Sequence, residues 1–305
     1  MSQFSINILG CGSATPTAFH NPSAQAVEYR GQLMLVDCGE GAQAMMRRMR
    51  LKFSRLSHVF ISHLHGDHFF GLPGLLSTLD LQDKNGTVTV HAFEAGLDVL
   101  RKTMAIFCPD PGYEIIYEPI RNTEATILET DSLTVETIRL SHRVPCVGFI
   151  FREKPKLRHI NGEMVRFHNV PNYKMASLRQ GEDFIRPDGS VIPNKCLTTD
   201  ADPAMSYAYL SDTAYNPALA EKIQGVDLLF HEATYDDAFD KLAGKYGHST
   251  ARQAAMTARD AGAGRLMLGH FSKRYNGNET LLLEQAREVF PNTILAREGL
   301  TTQLI

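Results

Sequence analysis

The sequence predicts a layered α/β protein with mixed sheets, because apolar β-branched runs alternate along the chain with segments of helical periodicity. The first apolar runs follow one another closely, which is typical of hairpin-like strand pairs rather than of strands joined by crossover helices. A plain doubly wound sheet is therefore disfavoured. The chain has 305 residues, of which 43% are hydrophobic, and this is enough for a well-buried core.

Strands are predicted where apolar runs end at turn residues, and helices where apolar residues recur every three to four positions. The predicted strands are 4–9, 33–36, 57–62, 87–92, 133–140, 206–211, 226–230, 265–269 and 301–305. The predicted helices are 41–51, 71–80, 94–106, 250–261 and 279–289. Thr250 and Gln253 have the spacing of a capping box, and Gly262 has the position of a helix stop.

Composition and charge exclude several classes of protein. No run approaches about 18 consecutive apolar residues, and the N-terminus lacks a signal-peptide pattern, so no membrane association and a cytoplasmic location are expected. The net charge of −3 argues against a protein that coats nucleic acid through bulk positive charge. Residues 152–179 differ from the rest, with seven Lys or Arg against two Glu. This local excess predicts a segment that faces a polyanion.

The cysteines indicate neither a disulfide framework nor a thiolate zinc site. They are odd in number and widely scattered, and none has C-x-x-C spacing. We expect them to be buried as small hydrophobic residues. The five are Cys11, Cys38, Cys108, Cys146 and Cys196.

The strongest chemical signal is the heptapeptide Ser62-His63-Leu64-His65-Gly66-Asp67-His68, which directly follows a predicted strand. It places three imidazoles and a carboxylate within six residues, on a turn that Gly66 permits. Imidazole nitrogen and carboxylate oxygen form a zinc-type ligand set. A polar surface turn is the alternative, but so dense a group of histidines serves no packing purpose.

One such turn cannot complete the coordination of two metals, so further ligands are needed at the ends of other strands. His142, Asp212 and His270 each follow a predicted strand. The carboxyl ends of strands are where loops converge on sites in α/β proteins. Each residue alone could equally be a loop-end residue with satisfied hydrogen bonds.

Glu232 and His248 form a candidate acid–base pair. Glu232 follows the predicted strand 226–230 in the sequence His231-Glu232, and His248 precedes a predicted helix. A carboxylate beside a histidine favours the protonated imidazole, which suits a general acid for an alkoxide leaving group. The alternative is that His248 and Ser249 cap the helix and Glu232 only supports neighbouring side chains.

Two glycine-containing turns lie near the N-terminus. The segment Gly10-Cys11-Gly12-Ser13-Ala14-Thr15 lacks the third glycine of a dinucleotide-binding motif, because Thr15 occupies that position. A turn whose backbone N–H groups contact an anion is the better interpretation. Asp37, in the second turn, is positioned to orient a metal-bound histidine. Simple turn formation remains the alternative for both.

These motifs resemble the metallo-β-lactamase superfamily, whose H-x-H-x-D-H loop is intact from His63 to His68. More narrowly the chain resembles the ribonuclease Z family, the endonucleases that remove 3′ trailers from precursor tRNA. The resemblance covers nearly the whole chain, in the family's order. The shared segments are LGCGSATPT, LVDCGEGAQ, ISHLHGDHFFGLPGLL, SHRV, YLSDTAY, LLFHEATY, GHST, LGHFSKRY and AREGL.

The resemblance implies an αββα sandwich of two mixed sheets with helices outside, formed as one domain by residues 1–305. It implies two Zn²⁺ ions per chain, for which Mn²⁺ or Fe could substitute. His63, His65 and His142 are assigned to one ion, Asp67, His68 and His270 to the other, and Asp212 to a bridging position. Asp67 is also assigned as the proton acceptor toward the attacking water.

The resemblance further implies a basic arm, inserted at 152–185, that binds precursor tRNA and often acts across a homodimer. The family's arm commonly has a Gly-Pro-rich turn, whereas this chain has Asn169-Val170-Pro171-Asn172-Tyr173. A second basic stripe, 47–55, either binds RNA or is a solvated charged face. The candidate RNA-binding cations of the arm are Arg152, Lys154, Lys156, Arg158, Arg166, Lys174 and Arg179.

Two other functions remain open at this point. The first is a hydrolase of the same fold with another substrate, such as a small phosphodiester, a sulfate ester or a β-lactam. The second is a binding protein in which zinc only joins loops. The basic arm argues against a small substrate, and the carboxylates Asp67 and Asp212 argue for a catalytic site.

Overall fold

A computed structural model describes residues 4–121 and 124–304. Its strands are β1 (Phe4–Gly10), β2 (Ala24–Tyr29), β3 (Gln32–Cys38), β4 (Leu56–Phe60), β5 (Thr87–Ala92), β6 (Glu114–Pro119), β7 (Thr126–Glu129), β8 (Leu133–Arg139), β9 (Val147–Glu153), β10 (His159–Ile160), β11 (Phe184–Ile185), β12 (Val191–Ile192), β13 (Thr198–Thr199), β14 (Ser206–Leu210), β15 (Leu228–Glu232), β16 (Arg265–Gly269), β17 (Thr293–Leu295) and β18 (Thr301–Gln303).

The helices are α1 (Ala42–Arg48), α2 (Gly66–Phe69), α3 (Leu72–Asp80), α4 (Glu94–Phe107), α5 (Gly162–Phe167), α6 (Met175–Arg179), α7 (Asn194–Leu197), α8 (Leu219–Lys222), α9 (Asp240–Tyr246), α10 (Ala251–Asp260) and α11 (Thr280–Arg287). Single 3₁₀ turns occur at Phe53–Arg55, Asn172–Lys174, Asp237–Phe239 and Lys273–Tyr275. In the described ranges no helix is both long and apolar enough to cross a membrane.

Two seven-stranded sheets form the body of the molecule. The first has the strand order β18-β1-β2-β3-β4-β5-β6, and the second has the order β17-β16-β15-β14-β9-β8-β7. Each sheet combines a parallel half with an antiparallel half, since β3 to β6 and β14 to β17 are parallel and the other neighbouring strands are antiparallel. The predicted mixed sheets and the αββα sandwich are confirmed.

The inner faces of the two sheets pack through large aromatic side chains. The ring of Phe60 in β4 lies 5.5 Å from that of Phe149 and 5.6 Å from that of Phe151, both in β9. The outer face of the first sheet is covered by α3 and α4, whose buried residues belong to a separate hydrophobic cluster. Polar contacts also cross between the sheets, because the Tyr209 hydroxyl donates to Asp37 Oδ2 at 2.7 Å.

Several local predictions are confirmed. The first and last residues of helices α1, α3, α4, α10 and α11 lie within three positions of the predicted ends. The capping box of Thr250 and Gln253 is present, and Gly262 has the left-handed φ of 61° expected of a helix stop. Four cysteines are buried, but Cys196 is exposed, so the prediction was wrong at that position.

Strands that have few large apolar residues or an internal glycine were not predicted from the sequence. β2 has the composition AQAVEY, and β9 contains Gly148 and ends in two charged residues. Gly148 is required there because a Cβ would lie 2.6 Å from the Tyr209 carbonyl oxygen. The last predicted strand, 301–305, is observed at Thr301–Gln303, and residue 305 lies outside the described ranges.

The segment that connects β9 to β14 is longer than the predicted arm, 152–185. Arg152 belongs to β9, and short elements from β10 to β13 continue to Thr199. This segment has its own hydrophobic cluster, separate from those of the two sheets. The cluster comprises Val165, Val170, Leu178, Phe184, Ile192 and Leu197.

A buried histidine in the core predicts acid sensitivity of the fold. His91 Nε2 lies 3.2 Å from His58 Nδ1, and the His91 ring stacks on Phe60 at 4.7 Å. Burial and the neighbouring His58 lower the pKa of His91 to about 3. The unfolded chain therefore takes up a proton below its ordinary pKa of about 6.5 while the folded chain does not, so stability falls as the pH drops from about 6.5 toward 3.

We expect His91→Phe to lose less thermal stability than the wild type between pH 7 and pH 5, because it removes this titration and keeps an aromatic ring beside Phe60. Thermal unfolding followed by circular dichroism across this pH range measures the effect. The exposed His159→Gln variant is the control and should follow the wild type. An unchanged pH dependence in His91→Phe would show that the acid sensitivity arises elsewhere.

Candidate metal centre and active site

The His-rich turn joins β4 to α2 at the carboxyl end of the first sheet's parallel half. His63 and His65 lie in the connection, and Asp67 and His68 lie in the first turn of α2. A Cβ at Gly66 would lie 2.2 Å from the exposed Phe70 ring, so a larger residue there would have to displace that ring. The short turn brings His63, His65, Asp67 and His68 into two neighbouring groups of metal-type donors.

Three histidines from this turn and from the second sheet form one donor cluster. Nε2 of His63 lies 3.0 Å from Nδ1 of His65, which lies 3.3 Å from Nε2 of His142. Asp212 Oδ2 lies 3.6 Å from the His63 nitrogen and 3.7 Å from the His142 nitrogen. The ligand atoms of all four residues are within 4.8 Å of one another.

A second cluster adjoins the first. Asp67 Oδ2 lies 3.4 Å from Nε2 of His68 and 3.7 Å from Nε2 of His270. Asp212 Oδ1 lies 3.3 Å and 3.1 Å from the same two nitrogens. Asp212 thus turns one carboxylate oxygen toward each cluster, which is the arrangement expected of a bridging ligand.

The other ring nitrogen of most of these histidines is held by the protein, and this fixes which nitrogen faces the site. Asp37, predicted to orient a histidine, contacts His68. The contacts are His63 Nδ1 with Ser62 Oγ at 3.0 Å, His68 Nδ1 with Asp37 Oδ2 at 2.7 Å, His142 Nδ1 with the Gly247 carbonyl at 2.8 Å, and His270 Nδ1 with Thr234 Oγ1 at 2.9 Å.

The clusters fit divalent cations. The Nε2 atoms of His68 and His270 are buried and form no hydrogen bond with any described residue. Asp212 Oδ1 lies close to both nitrogens, but the angles of these contacts are unsuitable for a hydrogen bond. Burial lowers the pKa of His63 and of His142, which favours the neutral imidazole that binds metals. Lone pairs of nitrogen and oxygen therefore converge on a common centre.

Asp212 stays ionised despite its burial. Burial raises its pKa, but His270 and His68 outweigh that effect and hold the pKa well below the usual range. Its backbone is strained, with a φ of 23°, and His270 has a left-handed φ of 58°. Residues other than glycine adopt such conformations mainly where the surrounding structure enforces them, often at functional sites.

Glu232 and His248 are paired as predicted. Glu232 Oε1 lies 2.9 Å from His248 Nδ1. Burial opposes protonation of His248, but attraction to Glu232 and the hydrogen bond raise its pKa to about 9. Helix α10 is capped by Thr250 and not by His248, so the capping alternative is wrong. Glu232 also accepts from Thr234 Oγ1 at 2.6 Å, and so supports the His270 side as well.

The N-terminal glycine-containing turn contacts the site. The backbone N–H of Ala14, whose φ is 49°, donates to Asp67 Oδ2 at 2.7 Å. The predicted contact between this turn and an anion is therefore made with a carboxylate of the protein. Burial raises the pKa of Asp67, but His270 and His68 lower it far more, so Asp67 is a carboxylate.

An open cavity of about 600 Å³ lies over the two clusters. Its walls include residues that sequence reasoning missed. They are Arg143, one position after His142, and Lys273, three positions after His270. Their closeness in sequence to a predicted metal-binding histidine was the one feature that could have indicated them. The aromatic wall residues are Phe70, Tyr235 and Tyr246.

The seven arm cations fall into two groups. Four are bound by partners within the chain: Arg152 to the Lys222 carbonyl, Lys154 to Glu129, Lys156 to Glu153 and Arg158 to Asp200. The other three, Arg166, Lys174 and Arg179, form no ion pair with any described residue. Arg166 and Arg179 are exposed.

Comparisons with known proteins agree with this geometry. A profile described as anti-Pycsar protein Apyc1 matches residues 4–155, and a β-lactamase superfamily domain profile matches residues 197–271. A ribonuclease Z from Bacteroides fragilis is 46% identical over all of both chains. One from Parabacteroides distasonis is 48% identical over 98% of this chain and 99% of the relative.

Among solved structures, human short-form tRNase Z has a TM-score of 0.70 at 26% identity and covers 98% of both chains. A diphosphatase of the PhnP family has a TM-score of 0.64 at 17% identity, over 100% of this chain and 98% of the other. At that level of identity the second likeness concerns the fold alone.

The αββα sandwich with histidine and aspartate clusters at one sheet edge defines a metallo-β-lactamase-type hydrolase, a fold that implies divalent metal binding. Within that class the chain belongs to the ribonuclease Z family. The predicted family and enzyme class, an endoribonuclease, are thereby confirmed.

Proposed function

We propose that this chain removes the 3′ trailer from precursor tRNA by hydrolysing one phosphodiester bond. The observation that carries the proposal is full-length identity of 46% to ribonuclease Z, together with a cavity lined both by residues of the donor clusters and by His248, which Glu232 contacts from below the surface. We also propose a cytoplasmic location, because it suits an enzyme that acts on precursor tRNA.

The test is to incubate the purified protein with a trailer-bearing precursor tRNA and with a chromogenic phosphodiester, and then to map the RNA ends. We expect one cut at the base of the trailer, leaving a 3′-hydroxyl on the tRNA and a 5′-phosphate on the trailer. Hydrolysis of the small ester without RNA cleavage would instead indicate a small-molecule phosphodiesterase with the same site.

The donor sets favour two Zn²⁺ ions per chain, with Mn²⁺ or Fe as substitutes. His63, His65 and His142 would hold one ion, Asp67, His68 and His270 the other, and Asp212 both. When bound, such a pair lowers the pKa of water toward neutrality and neutralises charge on the phosphate oxygens. The fixed ring nitrogens of the histidines preorganise the site, so little rearrangement is needed on binding.

Two acid–base groups of the chain complete the reaction. Asp67 is an ionised carboxylate oriented by the Ala14 N–H, so it can align the attacking water, and we assign it as the acceptor of that water's proton. His248 carries a proton at neutral pH, because Glu232 raises its pKa to about 9. His248 can therefore protonate the 3′ oxygen as the P–O bond breaks, while the water oxygen becomes part of the 5′-phosphate.

RNA binding is assigned to the unpaired part of the arm. Arg166, Lys174 and Arg179 form no ion pair with any described residue, and Lys174 Nζ lies 5.8 Å from the centre of the neighbouring Tyr173 ring, so all three can contact phosphates. Phe167 is 75% exposed and Tyr173 is 78% exposed, so both rings are available for stacking on bases or riboses. The four cations at the base of the segment stabilise its attachment instead.

We expect the triple variant Arg166→Ala, Lys174→Ala, Arg179→Ala to raise KM for precursor tRNA by about tenfold or more and to weaken the salt dependence of binding, because three phosphate contacts are lost. Hydrolysis of a small phosphodiester should not change. Steady-state kinetics at two salt concentrations measure both effects.

The matched control replaces Lys154, Lys156 and Arg158, which removes the same charge from cations that are already paired. We expect a smaller change in KM and a loss of thermal stability. Equal KM effects in the two triple variants would refute the division of the arm into free and structural cations.

A homodimer is proposed from apolar side chains that are exposed on and near the two helices covering the first sheet. Leu64 contacts Gly96 at the start of α4, and α3 and α4 pack against each other. Apolar side chains exposed on these helices and the neighbouring turns would be buried by a second copy. They are Leu64, Leu81, Val99, Ile106 and Phe107. Sedimentation of the purified chain tests this, and a mass of one protomer would refute it.

A further inference from the structure

A third group of metal-type donors lies apart from the two catalytic clusters. It consists of Cys11, His20 and Glu298, which come from the end of β1, from the following loop and from the segment after β17. Cys11 Sγ lies 3.4 Å from His20 Nδ1 and 3.5 Å from Glu298 Oε1, and those two atoms are 3.3 Å apart. Sulfur, nitrogen and oxygen donors therefore form a nearly equilateral triangle.

The triangle has the dimensions of a coordination shell. With Zn–S of about 2.3 Å and Zn–N and Zn–O of about 2.0–2.1 Å, tetrahedral geometry separates the ligand atoms by about 3.3–3.6 Å. All three sides of the triangle fall in this range, and the other Glu298 oxygen, Oε2, lies nearer to His20 Nδ1, at 3.0 Å. The His65–His142 nitrogen distance in the catalytic cluster, 3.3 Å, is comparable.

The surroundings of the triangle also match a metal site. Glu279 Oε1 lies 3.1 Å from His20 Nε2, which is the carboxylate–histidine arrangement that orients metal-binding imidazoles. The Ala296 carbonyl oxygen lies 3.5 Å from Cys11 Sγ and offers a further donor. Cys38 and Cys146 are equally buried, yet within the described ranges their thiols make no such polar contacts.

We propose that Cys11, His20 and Glu298 bind a structural divalent cation of the zinc class. Thiolate and imidazole together favour zinc over harder cations such as Mg²⁺ or Ca²⁺. The site is distinct from the catalytic clusters, which contain no cysteine. It joins three segments that are separated by up to 287 positions in the sequence.

Such a cation would hold one wall of the catalytic cavity. The loop between Cys11 and His20 carries the Ala14 N–H that contacts Asp67. Two backbone hydrogen bonds also link this loop to Phe271, the residue after His270. Ser13 N–H donates to the Phe271 carbonyl at 3.0 Å, and Phe271 N–H donates to the Cys11 carbonyl at 2.9 Å. Fixing the loop at both ends therefore positions Asp67 and the segment that bears His270.

The alternative to a bound metal is that Cys11 and His20 of this site are both protonated. Burial raises the pKa of Cys11 to about 12. Burial opposes protonation of His20, but contacts with Cys11, Glu279 and Glu298 raise its pKa to about 12. In the metal-free protein His20 would then be an imidazolium between two carboxylates, and metal uptake would release the protons of Cys11 and His20. A bound metal and bound protons can be distinguished experimentally, because only a bound metal forms a bond to the Cys11 thiolate.

Cobalt substitution provides the test, because among the metal-type groups of the described residues this is the one that contains a sulfur ligand. The purified holoprotein is analysed for metal, then exchanged with Co²⁺, and its near-ultraviolet spectrum is recorded. We expect a thiolate-to-cobalt charge-transfer absorption in the wild type and its loss in Cys11→Ser. The metal content of Cys11→Ser should be one equivalent per chain lower than that of the wild type.

Cys108→Ser is the matched control, since Cys108 is another buried thiol beside a carboxylate, with Sγ 3.6 Å from Asp80 Oδ2. It should keep both the absorption and the metal. Absence of the absorption in the cobalt-exchanged wild type would overturn the proposal without any variant. Its persistence in Cys11→Ser, or equal metal content in the two proteins, would do so as well.

Discussion

Asp212→Asn should lower kcat by at least about 10³-fold on both precursor tRNA and a small phosphodiester, on the scale of the several kcal/mol that a bound metal contributes to the transition state. Asp212 contacts four histidines with its two carboxylate oxygens. An amide keeps the shape but offers one neutral oxygen instead of two charged ones. The bridge between the clusters would therefore be lost.

Metal analysis of the same variant separates this explanation from misfolding. We expect its metal content to fall while its circular dichroism spectrum stays native. Asp227→Asn is the control, since Asp227 is also a carboxylate of the second sheet, but it caps the start of β14 through Ser206 N at 2.7 Å. That variant should lose stability and keep kcat and metal. Wild-type turnover by Asp212→Asn would refute the bridging assignment.

His248→Asn should lower kcat on precursor tRNA by about 10²–10⁴-fold, the usual contribution of general acid catalysis. The leaving group of the RNA substrate is an alkoxide, which departs poorly without a proton. A phosphodiester with a nitrophenolate leaving group needs no such proton, because that anion is already stable. The expected result is therefore a large loss on RNA and a small loss on the chromogenic ester.

The comparison of the two substrates is the decisive measurement for His248. Equal losses on both would indicate that His248 positions the site rather than donating a proton. Glu232→Gln should show the same substrate preference with a smaller loss, because His248 remains in place but is no longer held protonated by a carboxylate. A Glu232→Gln loss that is equal on both substrates would point to its contact with Thr234 and hence to His270.

The sequence was most informative where ligands are consecutive. The turn from His63 to His68 was evident because four metal-type side chains within six residues have no packing purpose. His142, Asp212 and His270 were found because they end predicted strands. Arg143 and Lys273 were missed because a single cation beside a ligand looks the same in sequence whether it lines a cavity or faces solvent.

Other features depend on contacts between distant segments and have no sequence pattern. The Ala14 N–H that contacts Asp67 is a backbone group in a strained conformation. The cations of the arm look equivalent in sequence, but four of them are paired in the structure, and Arg152 contacts the Lys222 carbonyl, 70 positions away. Cys11, predicted to be a simple buried residue, lies beside His20 and Glu298 only because β1 and the segment after β17 are neighbours in space.

The sequence by itself determined the fold class, the family and the identity of the side chains that can bind metals, because side-chain chemistry and the alternation of apolar residues are local properties. Only the tertiary structure decided which ring nitrogen of each histidine faces the site, which protein groups hold the other ring nitrogen and which cations form no ion pair. Those properties follow from the pairing of strands far apart in the chain, whose register sets distances that no local pattern encodes.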